Sequence, residues 1–112
     1  MSNLVLTCDK PNMGISELAD NFVNLMSSNA ELVVKDYTQM ESAGVVLIIF
    51  EKFFFRNSSY ATLTVLLTHF KGVQTAKIVG SGGGQGLLNV SWGANKNLAN
   101  QAASILAKFN FK

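Results

Sequence analysis

The chain has 112 residues, room for one domain, with 48% hydrophobic and only 14% charged residues and a formal net charge of +2. Ordinary globular chains carry ~25% charged residues, so this composition excludes a disordered protein and points to one that hides much of its surface. A single cysteine, Cys8, and a single histidine, His69, exclude an internal disulfide and a Cys/His zinc centre.

Asn3–Cys8 reads as a first strand, ended by the turn cluster Asp9-Lys10-Pro11-Asn12. Ile15, Leu18, Ala19, Phe22, Leu25 and Met26 then recur at helical spacing and predict one apolar helix face. Asn12 or Ser16 is the expected cap, Glu17 and Asp20 suit the positive end of the dipole, and Ser27-Ser28-Asn29 ends the helix. Leu32–Met40 is expected as the second strand, since Val33, Val34 and Tyr37 favour extended backbone. After Glu41-Ser42-Ala43-Gly44 comes Val45–Phe55, the densest apolar stretch, in which nine of eleven residues are apolar and only Glu51 and Lys52 interrupt.

Arg56-Asn57-Ser58-Ser59 turns the chain into Tyr60–Phe70. There Ala61, Leu63, Val65 and Leu67 alternate with Thr62, Thr64 and Thr68, the mark of a half-buried antiparallel strand. Lys71-Gly72 is the next turn. Val73–Val79 and Leu87–Trp92 are expected as two further strands around Gly80–Gly86. A last helix, about Asn95 to Phe109, buries Leu98, Ala102, Ile105, Leu106 and Phe109, with Asn95 or Asn97 as cap and Lys108 near its negative end.

The order β-α-β-β-β-β-β-α over residues 1–112 predicts a single α+β domain. It is a two-layer sandwich, with an antiparallel sheet of five to six strands and two helices on one face. The order is similar to that of TATA-binding-protein-like folds and of a truncated helix-grip fold, a likeness that implies no function. Ser81-Gly82-Gly83-Gly84-Gln85, followed by a strand and an amphipathic helix, resembles a family of small, functionally uncharacterised bacterial proteins, a domain of unknown function. The resemblance covers about the last third of the chain and implies no activity.

The glycine segment is the first candidate site. Lys77, Ser81, Gly82, Gly83, Gly84, Gln85 and Lys96 are the residues that would hold an anion on backbone N–H groups and a helix terminus. The dinucleotide and P-loop patterns both fail, because Gln85 and Leu87 stand where glycine is needed and Gly86 is followed by Leu87-Leu88. The competing reading is a plain hairpin using glycine for positive φ. His69 and Cys8 lack any sequence neighbour that would make them catalytic, so a structural histidine and an inert buried thiol are expected, with no catalytic residue and no metal or cofactor.

All seven acids lie at or before Glu51, opposed there by Lys10 and Lys35, whereas seven bases and no acid follow from Lys52 on. Such asymmetry marks an anionic partner or cancels when the halves pack together, and the scattered spacing of the bases favours cancellation. Lys52 and Arg56 bracket three phenylalanines, as in single-strand binders, but no RNA-binding motif is present and the pI of 8.8 falls short of the basic-domain range, so nucleic acid is not the expected partner. The N-terminus shows no leader and no apolar run reaches the ~20 residues that cross a bilayer, so a cytoplasmic protein without membrane contact is expected.

Val45–Phe55 is apolar on both faces, and two helices can cover only one. The uncovered face should meet a twin subunit, a curled edge or an apolar ligand, and a homodimer is the commonest solution. The even face (Val46, Ile48, Phe50, Lys52, Phe54 and Arg56) is expected to point outward because it carries the two cations. The turn at Arg56–Tyr60 decides this, since a one-residue slip exchanges the faces. The functional expectation is therefore a non-catalytic, self-associating domain. The alternative is a small-ligand domain using the glycine loop or a sheet–helix cavity.

Overall fold

A computed structural model describes residues 2–55, 58–82 and 94–112, the side chains at 2 and 94–96 excepted. In chain order these residues form β1 (Ser2–Cys8), α1 (Ile15–Met26), β2 (Glu31–Gln39), β3 (Ala43–Phe54), β4 (Ser59–Phe70), β5 (Val73–Gly82) and α2 (Ala94–Ala107). The strands make one five-stranded antiparallel sheet in the order β1-β5-β4-β3-β2. This is the expected α+β architecture with five strands. The sixth predicted strand, Leu87–Trp92, lies outside the described residues.

Strands β2 to β5 form a meander, each paired with the next. The β4–β5 turn is Lys71-Gly72, with φ of 52° and 77°. Positive φ at both central residues is what a two-residue hairpin of primed type requires, because its twist matches that of the strands. Strand β1 sits beyond β5, and α1 carries the chain across one face of the sheet to β2 at the far edge. Helix α1 packs on β3 and β4, and α2 on β5, β1 and β4 and against α1.

The core lies between that helix layer and the sheet. Helix α1 buries Ile15, Leu18, Ala19, Phe22 and Met26. Leu25, expected on the same stripe, stays 43% exposed at its rim. Phe22 meets Phe50 edge to face at 6.2 Å. Neither Asn12 nor Ser16 caps the helix: Gly14 takes the N-cap position and no side chain bonds there. Asn95 and Asn97, the expected caps of α2, lie inside that helix.

Alternation along the strands assigns the faces. Val46, Ile48 and Phe50 of β3, with Ala61, Leu63, Val65 and Leu67 of β4, are fully buried beneath the helices. Phe54 packs on the edge of this core, and Lys52, half-buried, lies over the Phe54 ring at 5.3 Å. The outward orientation expected for the even face is thus reversed. The physical reason is the β3–β4 connection: Phe54 pairs with Ser59, so even residues of β3 stand beside the odd residues of β4, which are apolar from Ala61 to Leu67. Arg56 lies outside the described residues.

Two contacts close the ends of the sandwich. Gln74, 1% exposed, donates from Nε2 to the Met13 carbonyl at 2.8 Å and ties β5 to the segment before α1. Lys112 exchanges two backbone hydrogen bonds with Thr7, at 2.9 and 3.0 Å, and so occupies part of the outer edge of β1.

Candidate functional site

Among the described residues, the sheet face turned away from the helices is an extensive surface on which no second layer packs. It is built by residues of opposite parity to the core. Val45, Leu47 and Ile49 of β3 are half-buried there, beside Leu66 of β4, Val79 of β5 and Val34 of β2. Val5, Phe53, Tyr60 and Phe70 on the same face are more exposed. At the β3–β4 end the Phe53 ring meets Tyr60 at a tilt, 4.9 Å between centroids, and Phe55 edge to face at 5.1 Å.

Between the apolar side chains stand hydroxyls that satisfy one another across β4 and β5. Thr62 Oγ1 and Ser81 Oγ are 2.7 Å apart, and Thr68 and Thr75 are bonded through their hydroxyls. A hydroxyl already paired within its own sheet loses little when water is removed, so these threonines do not oppose burial of the face. Leu66 and Val79 were not expected here. The signal for Leu66 was available, since it breaks the threonine alternation of β4.

The glycine segment begins inside the sheet rather than after it. Ser81 and Gly82 are the last residues of β5, paired with Thr62 and Ala61. Gly82 has φ of 80°, and a Cβ there would stand 2.6 Å from the Tyr60 carbonyl oxygen. This glycine therefore has a structural reason: it lets β4 approach where a side chain would collide. Lys77 is exposed on the open face of β5. Gly83, Gly84 and Gln85, and the side chain of Lys96, lie outside the described residues.

His69 ends the buried face of β4, level with Gly44 and Gln74. It lines a shallow pocket of about 280 Å³ with Tyr37, Gln39, Ser42 and the start of α1. Tyr37 is bonded to Gln39, whose amide in turn donates to the Met40 carbonyl at 2.8 Å. His69 Nδ1 is buried and has no hydrogen-bond partner among the described residues. Cys8 is buried, its Sγ donating weakly to the Phe109 carbonyl at 3.7 Å. Among the described residues no three His, Cys, Asp or Glu gather to hold a metal, and no helix is long and apolar enough to cross a membrane.

The model of a family of unknown function, DUF6054, matches residues 3–110. No curated protein and no solved structure matches the chain.

Proposed function

The chain belongs to this family of unknown function, DUF6054, and we propose that it is a non-catalytic domain that self-associates through the sheet face its helices leave open. The observation that carries this reading is the face itself, a continuous apolar centre in which Thr62 and Ser81, and Thr68 and Thr75, already pair their hydroxyls. The four strands β2 to β5, at ~4.8 Å spacing and ~3.3 Å per residue over about ten residues, give an open face of roughly 600 Å² per copy. Two copies face to face would hide about 1,200 Å², above the ~1,000 Å² that a specific interface needs. A homodimer is the simplest closed assembly that buries such a face on both partners. A reducing, cytoplasmic setting suits the buried thiol of Cys8. The small-ligand alternative, apolar or anionic, has less support, because Gly82 is accounted for by packing against Tyr60.

Light scattering coupled to size exclusion, at tens of micromolar, tests the reading. The expected mass is twice the 12.1 kDa of one chain. Leu47→Lys, which places a cation at the centre of the face beside Asp36, should return the protein to one chain mass with its fold intact by circular dichroism. A wild-type monomer at that concentration would overturn the proposal.

A further inference from the structure

The open face carries opposite charges in a single row. Followed from edge to edge, Val5, Lys77, Leu66, Leu47 and Asp36 stand side by side on β1, β5, β4, β3 and β2. Lys77 and Asp36 are both exposed, and neither joins an ion pair among the described residues, where Lys35 pairs with Asp20. Three strand spacings separate them, ~14 Å at ~4.8 Å each, so they do not reach each other within one chain.

Resting on the self-association proposed above, we infer that the second copy docks about a two-fold axis lying along the strands, between β3 and β4, so that Lys77 of each copy meets Asp36 of the other. Such an axis exchanges β3 with β4 and β2 with β5. Leu66 then lies over Leu47 of the second copy, and the two leucines are enclosed by two Lys77–Asp36 pairs. In the adjoining rows, which follow the same register, Thr64 lies over Ile49 and Val79 over Val34 on one side, and Thr68 over Val45 and Thr75 over Thr38 on the other. Apolar thus meets apolar or a threonine, and no like charges are opposed.

Two other axes fail on the same residues. An axis along β4 sets Lys77 over Leu47 and Asp36 over Val5, burying both charges without partners, which is strongly unfavourable. An axis across the strands through this row sets Lys77 on Lys77 and Asp36 on Asp36, a like-charge arrangement. Packed sheets cross at about 30°, which displaces Lys77 and Asp36, ~7 Å from the axis, by ~4 Å against each other, less than the strand ends and within the reach of a lysine side chain.

Charge reversal tests the axis. Lys77→Glu and Asp36→Lys should each weaken dimerisation by at least about tenfold, by sedimentation equilibrium, because each sets like charges together across the axis. The double variant Lys77→Glu/Asp36→Lys restores both pairs with exchanged signs and should return to within about threefold of wild type. Glu41→Lys, outside the strands on the β2–β3 turn, should leave the dimer unchanged. Both charged residues are exposed, and thermal unfolding of the same samples reports whether the fold is kept. A wild-type dimer with unaffected single variants, or folded single variants that the double does not rescue, overturns the axis and leaves self-association standing. A wild-type monomer overturns the self-association itself.

Discussion

Gln74 and Gly82 stabilise the fold in ways that their residue types conceal. Gln74 is a polar side chain inside the core, held there by its bond to the Met13 carbonyl. Gln74→Leu keeps most of the volume and removes the donor, so it should lower stability by about 1–3 kcal/mol in urea unfolding, the cost of a buried carbonyl left unpaired. Gly82→Ala would put a Cβ against the Tyr60 carbonyl, at a backbone angle that L residues rarely adopt. A loss of roughly 1–3 kcal/mol is expected by thermal unfolding. Unchanged stability would instead return Gly82 to the reading of a ligand loop. Neither role was legible in the sequence. Gln74 lies 61 positions from the residue it bonds, and the contact that requires Gly82 comes from a neighbouring strand.

Elements were easier to read than faces. The 3.6-residue spacing of Ile15 to Met26 specifies α1 and its buried stripe apart from Leu25, though not its cap, and the alternation of β4 specifies both its state and its buried side. Strand β3 is apolar at odd and even positions alike, so its own pattern cannot say which side is covered. The turn decides: four residues separate Phe54 from Ser59, and one more or one fewer would have turned the other face to the helices. Strand β2 shows another limit. Val33, Val34 and Tyr37 favour extended backbone but do not say where the strand sits, and it is an edge, exposed nearly throughout. Its register shift between Leu32 and Val34 and its charges at Glu31, Lys35 and Asp36 are features that discourage further strand pairing. The helix layer gives a prediction that separates core from open face. Phe22→Ala removes the ring that meets Phe50 and should cost about 3–5 kcal/mol in denaturant unfolding, whereas any Leu47→Lys effect falls mainly on association. If Phe22→Ala changed stability by less than about 1 kcal/mol, α1 would not be the cover of this core.

Across the whole molecule, the acidic first half and basic second half of the chain become a sideways charge gradient. Glu31, Asp36 and Glu51 lie on the β2–β3 side of the sheet, and Lys71 and Lys77 on the β4–β5 side. Packing the halves side by side does not bring these charges together, whereas the proposed second copy, turned about across the sheet, would. The same layout sets an order in time. Strand β1 pairs with β5 across sequence separations from 66, at Cys8 and Gln74, to 78, at Ser2 and Gly80, while β2 to β5 close through short hairpins. Chains are synthesised from the N-terminus at ~5–20 residues per second, so β1 waits several seconds for its partner strand to be made. Its companion on the outer edge, Lys112, follows α2 and emerges later still. The first of the five strands to emerge is therefore among the last to be paired, and the nascent protein must pass through a state in which an apolar edge strand is free while the meander beside it is already forming.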